Sequence, residues 1–178
     1  AQPPALVALG ERLFHDRRLS RAQDISCASC HAPNLGFSDG RRVAAGHAGQ
    51  LGPRNSPGLW GVGFVPQLMW DGRADSLEAQ ALLPLVNPAE MAMDLPTLLK
   101  RLNAETDYPK QFAQAFGGHG QTLAVTLTRL SAALASYQRT LQAPRTRFDD
   151  FIEGRPQALN AQELRGLHLF RTKARCMN

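Results

Sequence analysis

Cys27-Ala28-Ser29-Cys30-His31 is the stretch of the 178-residue chain richest in reactive side chains. Two thiols separated by two residues, with an imidazole directly after them, form the Cys-x-x-Cys-His pattern for covalent attachment of c-type haem. Each thiol can add across one haem vinyl group, and the two-residue gap matches the vinyl separation. His31 is then carried under the iron as an axial ligand. Two other chemistries use similar residues. A dithiol redox pair belongs beside a βαβ unit, and no such pattern is legible here. A tetrahedral zinc site needs four ligands, and no second Cys/His pair follows at zinc spacing. Haem c is therefore the expected cofactor. Its attachment takes place on the oxidising side of a membrane, so a periplasmic or equivalent compartment is expected.

Two further residues raise alternatives. Cys176, in Lys173-Ala174-Arg175-Cys176-Met177-Asn178, is either a lone thiol or the first half of a second motif that one more Cys-His pair would complete. The second reading is preferred, and it implies a longer chain with a second haem. Met91 lies sixty residues after His31, a gap that suits the methionine ligand of a mono-haem electron-transfer cytochrome. Such carriers are usually much shorter than this chain.

The elements that must position these residues read as helices joined by Gly/Pro-rich loops. Pro4 to Phe14 carries Leu6, Leu9 and Leu13 on one stripe. Ala32 to Gly72, roughly 40 residues dense in Gly, Pro, Asn and Ser, is too long for an idle connection and suits a wrapping around a flat ligand. Ser76 precedes a short helix expected to stop before Pro84. Asp94 caps Leu95 to Asn103, and Asp107 with Pro109 opens a helix bearing Phe112 and Phe116. Gln121 to Leu141 is expected to be the longest helix, with Leu123, Leu127, Leu130, Leu134, Tyr137 and Leu141 on one face. Asn160 and Glu163 resemble a capping box ahead of a helix that points at Cys176. No strand-length alternation occurs, so the fold is expected to be all-α.

Composition narrows the partners. The 43% hydrophobic and 20% charged content is ordinary for a globular protein, and the 7% aromatic content leaves room for a cofactor in the core. No run of 18 apolar residues exists, which argues against a transmembrane helix. Ala1-Gln2-Pro3-Pro4 has neither a charged nor an apolar leader region and reads as a mature end, any signal peptide being removed or absent. The net charge is +5, but the basic residues are scattered and not interleaved with aromatics. Nucleic acid is not an expected partner, and a basic surface also suits an acidic small one.

Several ordered segments together resemble the bacterial di-haem cytochrome c peroxidase family, which includes the MauG-type enzymes. They are Glu11-Arg12-Leu13-Phe14-His15-Asp16 with Arg18-Leu19-Ser20, the Cys27–His31 motif, Gly36-Phe37-Ser38-Asp39-Gly40 and Gly46-His47. Arg54-Asn55-Ser56-Pro57, Met69-Trp70-Asp71-Gly72-Arg73-Ala74, Leu77-Glu78-Ala79-Gln80-Ala81 and Asn87-Pro88-Ala89-Glu90-Met91 follow in order. The resemblance covers essentially the whole chain.

It implies a cytochrome c-like haem domain over residues 1–142, the peroxidatic one, and the beginning of a second, electron-transferring domain over 143–178, with Cys176 in the second haem motif. It further implies reduction of hydrogen peroxide to water with electrons from a small donor protein, a cytochrome c or a cupredoxin. Trp70 would pass electrons between the haems. Glu90 would take the proton from bound peroxide and return it to the leaving oxygen, and Gln80 would orient peroxide or water by hydrogen bonding. His47 would be a removable distal iron ligand on a mobile Gly-flanked loop. Asn55 would give one oxygen to a calcium ion whose other ligands lie beyond Asn178. His15, His119 and His168 carry no motif and read as surface or packing residues. The resemblance allows a homodimer and gives no membrane insertion. Two alternatives stand beside it: a His31/Met91 electron carrier, and a MauG-like enzyme that oxidises a partner protein.

Overall fold

In the computed structural model, residues 1–118 and 122–177 are described. All regular structure among them is helical. Only isolated bridges, Ala32 with Ser38, Ala45 with Leu51 and Leu68 with Ala74, pinch the loops. The all-α expectation holds. The chain divides into two compact units, Ala1–Gln142 and Ala143–Asn178.

In the first unit, α1 (Pro4–His15) begins on a proline, whose missing N–H costs nothing at a helix start. Its buried face is Leu9, Gly10, Leu13 and Phe14. A single turn, α2 (Cys27–Cys30), is held by a capping box in which Ser26 and Ser29 exchange hydrogen bonds. The long loop from Ala32 to Gly72 has no α-helix of its own, only 3₁₀ turns at Pro33–Leu35, His47–Gly49 and Val62–Phe64.

Helix α3 (Leu77–Val86) starts at Ser76, whose hydroxyl accepts the Ala79 N–H. It does not stop before Pro84, as its sequence suggests, but runs through it. The loop beyond stabilises this last turn: Met91 N–H donates to the Pro84 carbonyl at 3.2 Å and Met93 N–H to the Leu85 carbonyl at 2.7 Å. Leu85 is fully buried there, and that packing offsets the proline's lost hydrogen bond.

Helices α4 (Leu95–Ala104) and α5 (Tyr108–Ala115) follow, with Asp94 capping α4 through the Thr97 N–H. Phe116 lies just past the end of α5, stacked on Phe112 at 6.0 Å. The next helix, α6 (Leu127–Gln138), is shorter than the expected span from Gln121 to Leu141. Gln121 and His119 lie outside the described residues. Extended chain before α6 is pinned to α4, because Asn103 accepts the Val125 N–H at 2.8 Å and donates to the Val125 carbonyl at 3.0 Å. Thr126 then caps the helix through the Arg129 N–H. Side-chain hydrogen bonding to backbone thus ends the helical pattern early.

Helices α1 and α6 cross at the centre of this unit. A Cβ on Gly10 would lie 2.0 Å from the Ala133 carbonyl oxygen, so the crossing is open only to glycine. Around it Leu13, Leu98, Leu102, Phe112, Leu130 and Leu134 form a core with Met91 and Met93.

The second unit contains α7 (Arg147–Ile152) and α8 (Ala161–Arg171). Thr146 with Asp149, and Asn160 with Glu163, form capping boxes, the latter as its sequence suggests. Arg147 bonds both Glu163 carboxylate oxygens at 2.7 Å. Phe148, Ile152, Leu169 and Phe170 remain exposed. No helix among the described residues is long and apolar enough to cross a membrane.

Candidate functional site

The α2 turn presents Cys27 and Cys30 one helical turn apart, with His31 as its C-terminal cap. Neither thiol is in a disulfide. Burial pushes the Cys27 thiol up to about 12. Cys30 is pushed up as well, first by burial and then by the charges of Asp39 and Glu90. A dithiol redox catalyst needs a lowered thiol, and this pair has the reverse. No group of three or more His, Cys, Asp or Glu side chains placed to hold a metal ion is found among the described residues.

His31 is oriented by the loop that follows it. Its Nδ1 lies 2.8 Å from the Phe37 carbonyl oxygen and 3.1 Å from that of Pro57. Both partners can only accept, so Nδ1 carries the proton and Nε2 is left with its lone pair for a metal. Phe37 is held at φ +59°, a left-handed conformation that costs a side-chain-bearing residue about 1–2 kcal/mol. That backbone turn is what presents its carbonyl to His31.

His47 and Glu90 are joined to each other through their main chains. His47 N–H donates to the Glu90 carbonyl at 2.7 Å. Gly46 fits against the Ala89–Glu90 backbone so tightly that a Cβ would lie 2.0 Å from the Ala89 oxygen. His47 Nδ1 is buried and has no hydrogen-bond partner among the described residues, an arrangement that leaves a lone pair or proton for a bound group. Glu90 is half-buried, and its Oε1 accepts from Asn87 Nδ2 at 2.8 Å. Cys30 Sγ sits 3.9 Å from the carbonyl of Ala45, at the foot of the His47 loop. Cys27, Cys30 and His31, with the Glu90 charge felt at Cys30 and the His47 loop fixed to Glu90, thus suit a covalently held haem.

The remaining candidates make contacts of their own. Gln80 Nε2 donates to Met69 Sδ at 3.8 Å, beside Trp70. Trp70 is 82% exposed, with the Arg54 guanidinium 5.5 Å above its ring. Neither Gln80 nor Trp70 has a hydrogen bond to Glu90 or His47. Asn55 is exposed. Met91 is 3% exposed within the hydrophobic core, where its thioether packs as a core side chain. His15 and His168 are exposed, as expected. Cys176 is also exposed, in the second unit just after α8.

Four groups at the site lie within the quoted segments but have no role assigned from the sequence. Asn87 orients Glu90, Arg54 covers Trp70, and the carbonyls of Phe37 and Pro57 hold His31. Asn87 could have been found from its place three residues before Glu90. Main-chain acceptors leave no trace in residue identity.

Comparison with known proteins agrees with this arrangement. The family model for di-haem cytochrome c peroxidase matches residues 4–157. The chain is 42% identical over 173 residues to the methylamine utilization protein MauG of Methylorubrum extorquens, covering 97% of this chain and 48% of that protein. It is 37% identical over 166 residues to the cytochrome c551 peroxidase of Nitrosomonas europaea, covering 93% and 48%. The crystal structure of a MauG-like protein associated with microbial copper homeostasis superposes with a TM-score of 0.85 at 33% identity, over 96% of this chain and 49% of that one. The chain therefore spans about half the length of the relatives it matches. With its motif residues in place and matches over nearly its whole length, it belongs to the di-haem cytochrome c peroxidase family, which includes MauG.

Proposed function

We propose that this chain is the peroxide-reducing part of a periplasmic di-haem enzyme that turns hydrogen peroxide into water with electrons from a small donor protein. The observation that carries the reading is the meeting of Glu90, His47 and the Cys27–His31 motif around one region, with His47 Nδ1 buried and unpartnered. Cys27 and Cys30 would hold the haem and His31 Nε2 would ligate its iron, and the haem would supply the redox chemistry.

The protein's own part is to orient groups and move protons. Phe37 and Pro57 fix the His31 tautomer and, by accepting its proton partially, raise its strength as a ligand. Asn87 holds the Glu90 carboxylate toward the region it shares with Cys30. From there Glu90 takes a proton from one peroxide oxygen and returns it to the other as water leaves. Gln80 orients the substrate or a water, and His47 leaves its place to admit it. Trp70 carries electrons from a second haem, whose domain begins at residue 143 and whose attachment begins at Cys176. The half-length match to the relatives and the unburied apolar side chains of α7 and α8 support that division. The calcium role of Asn55 depends on ligands from elsewhere.

A second reading has its own support. The 42% identity to MauG favours a partner protein as the species oxidised. Mixing the full-length holoprotein with hydrogen peroxide and a reduced cytochrome c or cupredoxin separates the two. Saturable, peroxide-dependent donor oxidation is the expected result. Donor oxidation that does not depend on peroxide would contradict the proposal and favour an electron carrier. Peroxide consumption without donor turnover would favour the MauG-like reading.

A further inference from the structure

Trp60 plays no part in the site as described, yet it is coupled to the His31 side of it. Its indole is 45% exposed. The ring meets buried Phe37 edge-on at 4.9 Å and 88°. Phe37 is the residue whose carbonyl takes the His31 Nδ1 hydrogen bond at 2.8 Å. A second aromatic link runs through Phe14, whose ring lies 6.4 Å from Phe37 and 6.5 Å from His31. A continuous path of ring contact, backbone and hydrogen bond thus runs from the surface to the ligand.

The path is rigid at its outer end. The segment before Trp60 is fastened to the His31 loop, with Ser38 Oγ donating to the Ser56 carbonyl at 2.7 Å and His31 itself donating to that of Pro57. A Cβ on Gly58 would lie 2.9 Å from the Gly36 carbonyl oxygen, so the two chains touch backbone to backbone. Leu59 is buried beside them. Trp70 differs in its electrostatics, since Arg54 sits over its face and opposes loss of an electron from the ring. No guanidinium or ammonium lies over Trp60 among the described residues.

We propose that Trp60 is a surface electron port, independent of Trp70, that delivers reducing equivalents through Phe37 and His31. The proposal rests on the peroxide-reducing reading above. Trp60 gives one electron inward to the peroxide-oxidised haem site and releases its indole Nε1 proton to water. A one-electron reductant at the surface returns the electron, and water returns the proton. Two such cycles supply the two electrons that one hydrogen peroxide takes up, with two protons, to become two waters. Its ligand is therefore any small one-electron donor able to touch an exposed indole.

The test treats the full-length holoprotein with hydrogen peroxide alone, with peroxide plus ascorbate, and with peroxide plus cyanide to block the iron. Peptide mass spectrometry then reads oxygen added to Trp60. The expected result is oxidation of Trp60 with peroxide alone that ascorbate and cyanide each suppress. An unmodified Trp60 while peroxide is consumed, or modification that persists with cyanide, overturns the port. Failure to consume peroxide at all overturns the peroxide-reducing reading instead. Trp60→Phe keeps a ring on Phe37, so the haem spectrum and peroxide reduction driven by the protein donor should survive while ascorbate-driven peroxide reduction falls. Unchanged turnover with ascorbate would also overturn the proposal.

Discussion

His31 and His47 illustrate two uses of one side chain. His31 has its Nδ1 proton fully engaged by two carbonyls, which locks the ring and leaves one nitrogen for iron. His47 has a buried nitrogen with no such engagement, and its backbone is tied to Glu90 instead. In the full-length enzyme His47→Gly is expected to change the resting haem spectrum and remove the need for prior reduction of the second haem. An unchanged spectrum and activation requirement, measured optically before and after reduction, would contradict the gate. Gly46 gives a finer probe. A methyl group there would meet the Ala89 oxygen at 2.0 Å, so Gly46→Ala must displace either the His47 loop or the Glu90 backbone. Covalent haem should remain while peroxide turnover falls, read by intact mass beside steady-state kinetics. At this scale much was legible beforehand. Residue type and spacing led to Cys27, Cys30 and His31, and the family pattern led to Glu90 and His47. The carbonyl partners of His31 and the ring contact of Trp60 were not legible, because Phe37 and Pro57 act through their main chains and the pairs His31–Pro57 and Phe37–Trp60 depend on a loop folding back across more than twenty residues.

The end of α1 and the start of α5 are joined by a polar cluster that the hydrophobic periodicity does not reveal. The Tyr108 hydroxyl donates to Asp16, and burial, then this hydrogen bond, raises its pKa. Arg18 bonds both Asp16 oxygens. Its guanidinium and that of Arg12 lie 5.1 and 4.7 Å from the Tyr108 ring centroid. Burial alone would raise the Asp16 carboxyl, but the hydrogen bonds from Arg18 and Tyr108 outweigh it and hold the group below its ordinary value. The sign follows from linkage. A carboxyl lowered on folding contributes stability that is complete above its unfolded pKa of about 3.9 and is lost as pH falls through the lower folded value. Asp16→Asn should therefore flatten the acid limb of a thermal-stability profile, and an unaltered acid limb would contradict this. Leu134, 1% exposed on α6, tests the core directly, since Leu134→Ala should cost about 2–5 kcal/mol in denaturant unfolding. The existence of α1, α3, α4, α5, α6 and α8 was readable from apolar spacing and caps, whereas the short α2 and α7 were not. The ends of α3 and α6 were not, because they are set by Met91, Met93 and Asn103, which lie outside those helices.

The chain divides into a first unit, Ala1–Gln142, that holds the buried core, and a second, Ala143–Asn178, in which Phe148, Ile152, Leu169 and Phe170 are exposed. The relatives it matches are about twice as long, and the proposed reaction needs two electrons for each peroxide. Intact mass of the full-length protein is expected to show two covalent haems, one on Cys27 and Cys30 and one on a peptide containing Cys176. A single haem would contradict the two-domain division. The most direct measurement concerns Glu90, the proton shuttle of the proposed peroxide reduction. Glu90→Gln keeps the side-chain shape but removes the carboxylate, and general acid–base catalysis is worth roughly 10²–10⁴-fold. Steady-state peroxide reduction by the full-length variant, with a reduced donor, should fall by about that factor while haem loading and His31 ligation are unchanged in the optical spectrum. A Glu90→Gln enzyme with full peroxide turnover would contradict the central claim.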